Sequence, residues 1–425
     1  MDSLTIERFK MLGLYPPKPT RLLGIIDRAL DNNPYQKPAM ATPPTVAVSA
    51  TSDATLTVYP LVNGTALHDN ASRVAFYGGY PVIIASAYVA MAVANVAPST
   101  AGNIGGGAVA GLNQWASAIE FMTDSDKVQI GLYTTSSVKH MFQVDGQYVD
   151  FAGSAGLATT GTDCFFLLTF ASRKPRRIRV LIPSLPSKGP TMIKTIRLSP
   201  TCSMWKPNQA NVLRLAWYGD SYSEGTNGSS TIYPVPNAAW PVLTGELLGI
   251  RDVRQLAVGS TGYVSDASGV RSKCVDQMPW TFAQGPFDLG VFAHGYNDAG
   301  RAADVITANA LACYQLFRQK YPLTPIVVLG AQAGAGGPNA TQIACENAIK
   351  AAVTLFDDPL CKFAPVSTDT QTWLNGTGKV GATNGSGNSD VYIDPDGVHP
   401  TLAGAEYLAF RSAPAIRAAI ASMVL

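Results

Sequence analysis

Hydrophobic and polar positions change their spacing twice along the chain. In residues 20–30, Leu22, Leu23, Ile26, Ala29 and Leu30 fall on one helical face, and Thr20 stands where a cap is needed. From 41 to about 205 the spacing becomes that of strands. Residues 55–59, 127–130, 141–144, 165–170 and 177–182 are short, β-branched or aromatic, and parted by Gly, Asp and Pro turns. Asp145-Gly146 between two of them predicts a two-residue hairpin. With no helical stretch between them, these strands predict an all-β sandwich. Beyond Trp205-Lys206-Pro207, apolar runs at 213–218, with Arg214 the one charge among them, 289–292 and 325–329 alternate with helical patterns at 302–321, 341–356 and 402–420. Pro414 is expected to kink or break the last helix. Such runs suit strands covered on both faces, so this half predicts a parallel sheet with helices on both sides.

Three segments follow: 1–40, a β-sandwich over 41–208, and an α/β domain over 209–425. The first is split by Pro16, Pro17 and Pro19 and closed by Asn33-Pro34. Its apolar face must bury against its own chain, another copy, or a larger assembly to which it would be an adaptor. The cations Arg173, Lys174, Arg176, Arg177 and Arg179 partly alternate with apolar residues, which predicts a solvated strand face rather than a binding patch. The longest apolar stretch, 82–97, is interrupted by Ser86, Tyr88 and Asn95 and is shorter than the ~20 residues of a spanning helix. No membrane span is expected.

Composition narrows the partners. Only 14% of residues are charged and the net charge is +2, so nothing points to nucleic acid or an anionic membrane. A neutral partner such as a polysaccharide fits better. The six cysteines form no C-x-x-C and do not cluster with histidine, so separate buried thiols are expected, with no zinc, redox pair or other cofactor. The opening MDSLTIERFK carries Asp2, Glu7 and Arg8 and lacks the apolar core of a signal peptide, so conventional secretion is not expected.

The candidate chemistry centres on residues 213–225, LRLAWYGDSYSEG, where an apolar run breaks at Gly219 and presents Ser221 at a strand end. A serine hydroxyl needs a general base, an orienting group for that base, and oxyanion donors. Of four histidines, His68 and His140 lie in the β region, leaving His294 and His399. His399 follows Asp396 by three residues in DPDGVHPT, so one turn can bring carboxylate to imidazole. Asp396 and His399 are the expected orienting acid and base. Gly259, in the turn AVGSTGY, and Asn297, in HGYND after the run at 289–292, would join the Ser221 N–H as three oxyanion donors. Gly262 is the other glycine of that turn.

In that order, Gly219-Asp220-Ser221-Tyr222-Ser223, Gly259, Gly295-Tyr296-Asn297-Asp298 and Asp396-Gly397-Val398-His399-Pro400 resemble the four blocks of the SGNH (GDSL-type) hydrolases. The resemblance covers about 210–425. It implies a three-layer α/β/α sandwich with Ser221 as nucleophile, His399 as base, Asp396 as its partner, and Ser221, Gly259 and Asn297 around the oxyanion. The second block departs from the family's usual run, having Gln255-Leu-Ala-Val ahead of Gly259 and Ser260-Thr261-Gly262 after it. Residues 41–205, through EFMTD at 120–124 and the later Val144-Asp145-Gly146, look similar to the jelly-roll domain of two-domain carbohydrate esterases. Members of that group remove acetyl groups from polysaccharides, and phage tail proteins use SGNH domains on host glycans. The resemblance therefore implies a serine esterase acting on O-acetyl groups of a carbohydrate, such as a bacterial surface polysaccharide. The location would be cytoplasmic or virion-associated, with homo-oligomerisation or attachment through 1–40 left open. Two other readings stand beside it: a glycan-binding or structural virion protein, and an acyltransferase using the same residues. The Gly-x-Ser-x-Gly elbow of α/β-hydrolases is absent. Gly334-Ala335-Gly336-Gly337 lacks the pattern of a nucleotide loop and reads as a loop over the pocket, which Gln332 and Trp373 would line, although core packing suits Trp373 better.

Overall fold

The computed structural model describes residues 18–31, 39–92, 116–134, 139–157, 161–185, 189–225, 235–269, 271–381 and 386–423. Pro16, Pro17, Asn33 and Pro34 lie outside them, as does the end of the apolar stretch at 82–97. The start of that stretch folds into the hairpin Tyr80–Ile84 and Tyr88–Ala92, and no described helix is long and apolar enough to cross a membrane.

Among the described residues the strand-patterned region forms two antiparallel sheets of seven strands each and a two-stranded hairpin, Val62–Asn63 with Ala66–Leu67. Ile130, Phe166 and Ile193 from one sheet share a core with Phe121, Phe142 and Ile178 from the other. Val144 pairs with Gln147 across the hairpin, and Asp145 and Gly146 take φ of 52° and 87°, the left-handed pair such a turn requires. The cationic strand corrects the expectation of a solvated face. Arg176 and Arg179 are buried. Arg176 donates to the carbonyls of Ser172 and Lys174 and lies 4.2 Å from the Phe170 ring centroid, while Arg179 donates to Arg251 O across the boundary with the α/β half. Backbone carbonyls replace water around these guanidiniums, whereas Arg173 stays half exposed in a salt bridge with Asp124.

The second half contains five parallel strands: β1 (Arg214–Gly219), β2 (Asp252–Ala257), β3 (Leu289–Ala293), β4 (Ile326–Leu329) and β5 (Cys361–Ala364), in the order β2-β1-β3-β4-β5. Alternation along β1 divides the layers. Leu215 and Trp217 pack with Trp240, Leu408 and Ile416 on one side, and Ala216 and Tyr218 with Phe317 and Ile349 on the other. Helices Trp240–Leu247 and Leu402–Ala421 form the first layer, Ala303–Lys320 and Ala340–Phe356 the second. The helix Leu402–Ala421 runs on through Pro414, which lies on its exposed side. Phe410, whose carbonyl loses its helical donor there, is half exposed. The helix Lys18–Asp31 joins the first layer: Leu22 and Ile26 are fully buried there, and Asp27 pairs with Arg417 at 2.6 Å. Its apolar face is thus covered by its own chain.

Polar contacts seat the sheets on the α/β half. Gly78 N–H donates to Asp252 Oδ1 at 2.8 Å, Tyr148 Oη to Glu246 at 2.6 Å, and Arg251 pairs with Glu120 at 3.1 Å. All six cysteines are free and buried. In the order β2-β1-β3-β4-β5, the connection from β1 runs to one side and the next, from β2 to β3, crosses back to the other; at such a reversal ligands bind beyond the carboxyl ends of the strands, here β1, β2 and β3. Ser221, Gly259 and Asn297 follow those three ends.

Candidate active site

Ser221 begins a single helical turn, Ser221–Glu224, two residues beyond β1. Asp220 caps it, its Oδ1 accepting from Tyr222 N–H at 3.1 Å, and Gly225 ends it in the left-handed region at φ 88°. Gly219 is needed for contact rather than conformation. A Cβ there would overlap Ser223, whose hydroxyl accepts from Trp217 Nε1 at 3.0 Å. The turn is thereby pressed onto its strand, and Ser221 is held with 8% of its surface exposed.

His399 Nε2 lies 2.9 Å from Ser221 Oγ, and His399 Nδ1 lies 2.6 Å from Asp396 Oδ2. The other Asp396 oxygen accepts the N–H groups of Val398 and His399 at 2.9 and 3.0 Å, which fixes the carboxylate before it meets the ring. Burial raises the Asp396 pKa, but the hydrogen bonds from the ring and the two N–H groups outweigh it and hold the carboxyl below its ordinary range. An ionised Asp396 keeps the proton on Nδ1 and leaves Nε2 to accept from the serine.

The remaining histidines have other surroundings. His68 Nδ1 accepts from Asn70 N–H, His140 is buried against Phe166, and His294 is buried with its ring centroid 5.3 Å from that of Tyr263. Burial lowers the pKa of His140 to about 3 and of His294 to about 4, so both are neutral near pH 7.

The expected oxyanion donors are engaged to different degrees. Asn297 Nδ2 donates to Thr261 O at 2.9 Å, which orients the amide and leaves its second hydrogen for a ligand. Gly259 N–H donates to Glu224 Oε2 at 3.0 Å. Gly262 N–H is engaged within its own turn, with Ser265 O. A Cβ at Gly262 would overlap the Asp298 carboxylate, which accepts the N–H groups of Tyr263, Val264 and Ser265. Gly262 thus lets Asp298 organise the turn that carries Thr261.

Asp220 is fully buried, and its Oδ2 has no partner among the described residues. Burial, with the nearby charges of Asp298 and Glu224, outweighs the Tyr222 N–H and pushes its pKa up to about 8. Tyr222 was not singled out by the sequence, yet its Oη reaches both Val398 O and Ala333 O, binding the histidine loop to the loop after β4. The glycine-rich loop packs there too, with Ala335 N–H donating to Gly397 O at 2.9 Å. Gln332 is buried and its amide has no partner among the described residues; Trp373 lies in the core and donates to Asp369. No group of three or more His, Cys, Asp or Glu among the described residues is placed to hold a metal ion.

No protein-family model matches the chain, and no curated protein does. Solved structures do. A family two carbohydrate esterase from Cellvibrio japonicus matches with TM-score 0.58 at 12% identity, over 89% of this chain and 100% of its own. The salicylyl-acyltransferase SsfX3 from a tetracycline biosynthetic pathway matches with TM-score 0.59 at 14% identity, over 86% and 98%. The acetyl xylan esterase Est2A from the rumen bacterium Butyrivibrio proteoclasticus matches with TM-score 0.53 at 12% identity, over 87% and 100%. At such identities the likeness is one of fold: the chain shares the fold of these proteins over most of its length, so that each match takes in antiparallel sheet as well as the parallel one.

Proposed function

We propose that the chain is a serine esterase that removes O-acetyl groups from a carbohydrate. The observation that carries this reading is the continuous line of hydrogen bonds from Ser221 Oγ through His399 to Asp396. Ser221 Oγ attacks the acetyl carbonyl while His399 Nε2 takes its proton, and Asp396 stabilises the imidazolium. Charge on the tetrahedral oxygen is met by Ser221 N–H and the free hydrogen of Asn297, with Gly259 N–H as a third donor. His399 returns the proton to the departing sugar oxygen. Water, activated by the same imidazole, then frees acetate from Ser221.

A polysaccharide substrate suits the low surface charge, and two of the structural relatives are esterases of carbohydrate esterase family two or of acetyl xylan. We read the leading sheets as a jelly-roll domain beside the catalytic one. Acyl transfer is the second reading, favoured by the likeness to a salicylyl-acyltransferase. It differs only in the acceptor, a second hydroxyl in place of water. Acetate release from a panel of acetylated bacterial and plant polysaccharides, with and without added sugar acceptors, tests both. Acetate release supports the esterase, acetylated acceptor supports the transferase, and neither product from any member overturns the proposal.

A further inference from the structure

We propose that Glu224 masks the Gly259 oxyanion donor in the resting enzyme, and that catalysis is faster when its carboxylate moves toward Arg271. The inference rests on the esterase reading above.

Three observations carry it. First, the Gly259 N–H is engaged by Glu224 Oε2 at 3.0 Å, and Glu224 is only 6% exposed. A charge-assisted bond to a carboxylate is stronger than one to a neutral ester carbonyl, so the substrate's ground state does not displace it. The tetrahedral intermediate is itself an anion, and two anions compete poorly for one N–H. Second, Gly259 takes no left-handed backbone that would call for glycine, yet a Cβ there would overlap Glu224 Oε2 and come within 3.1 Å of Arg271 Nη1. The absent side chain admits the carboxylate. Third, Arg271 Nη1 donates to Gly259 O at 2.5 Å, so the carboxylate and the guanidinium hold the two peptide groups that flank the Gly259 Cα. A guanidinium has five N–H donors, so one that already holds the Gly259 carbonyl can also receive the carboxylate after a short swing. Glu224 belongs to the same helical turn as Ser221, so the mask and the nucleophile share one element.

Glu224 is therefore a positioning residue whose removal raises the rate. Losing an oxyanion donor typically lowers kcat by 10²–10³, and unmasking one recovers part of that factor. The experiment compares wild type, Glu224→Ala, Glu224→Gln and Arg271→Ala in p-nitrophenyl acetate hydrolysis, together with the affinity of methylboronic acid, which forms a tetrahedral anionic adduct on serine. Expected are a kcat at least tenfold higher in Glu224→Ala, a smaller rise in the neutral isostere Glu224→Gln, KM little changed, and boronate affinity raised in step. Arg271→Ala is expected to lower kcat in the Glu224 enzyme. Glu224→Gln keeps the size and shape of the side chain and carries the test should Glu224→Ala be unstable. Folded Glu224 variants with unchanged or lower kcat and unchanged boronate affinity overturn the mask. The esterase reading fails on a different result, a wild-type enzyme that releases no acyl group.

Discussion

Tyr222 and Val398 are joined by a hydrogen bond from phenol to carbonyl, one residue after the candidate nucleophile and one residue before its candidate base. The bond sets the height of the histidine loop over the serine turn, and the ring stands 5.9 Å from the imidazole. Burial, with Tyr296, Asp220 and Asp396 nearby, raises the phenol pKa, so the hydroxyl keeps its proton and remains a donor. Tyr222→Phe should lower kcat about tenfold with KM nearly constant, because misplacing the base acts on the transition state. A stability loss of about 1 kcal/mol should accompany it, from the lost hydrogen bond to the half-buried Val398 carbonyl. Steady-state kinetics and urea unfolding of the variant check both numbers.

Asn297 holds its amide by one hydrogen on Thr261 O. Asn297→Ala should lower kcat by about 10²–10³ while KM for a small acetate ester changes little, since the lost donor acts mainly on the oxyanion. A KM effect alone would place the amide on substrate binding instead.

Asp220 gives a pH signature of defined sign. Its folded pKa, about 8, lies above the ordinary carboxyl value of 3.8, so the folded state binds the proton more tightly. Its contribution to stability is full below pH 3.8 and declines as pH rises through the window to about 8, where it levels off. Asp220→Asn removes that decline. The difference in Tm between variant and wild type should grow in the variant's favour from pH 4 to pH 8, as scanning calorimetry at a series of pH values would show.

Gly262 tolerates no side chain while Asp298 gathers the three N–H groups of the following turn. Gly262→Ala should cost about 1–3 kcal/mol of stability through overpacking against that carboxylate. Ala in place of a glycine that served only chain flexibility would stabilise slightly, so the sign of the change in a denaturation midpoint separates the two roles.

Much of this arrangement is local in sequence, which is why it was legible there. Asp396 and His399 are three residues apart, and one turn suffices to join them. Their meeting with Ser221 spans 178 residues and depended on resemblance to a family rather than on spacing. The strand runs at 213–218 and 289–292 were visible because both faces are covered, leaving Arg214, at the start of its strand, as their one polar residue. The helix Trp240–Leu247 was hidden for the same reason: it is buried all round and shows no amphipathic period. Arg176 and Arg179 read as solvated because charge alone does not show that backbone carbonyls will surround a guanidinium. Glu224 and Tyr222 stood inside the stretch 213–225, but what each side chain reaches, Gly259 and Val398, is set by how β1, β2 and the histidine loop meet.

Ser221 is the residue expected to carry the acyl group. The most direct test is to quench the enzyme during turnover of p-nitrophenyl acetate and map the acetyl group by peptide mass spectrometry. A single acetyl is expected on the peptide containing Ser221, absent in Ser221→Ala, whose turnover falls by several orders of magnitude. Turnover by Ser221→Ala at the wild-type rate, or an acetyl carried on another residue in its place, would contradict that role.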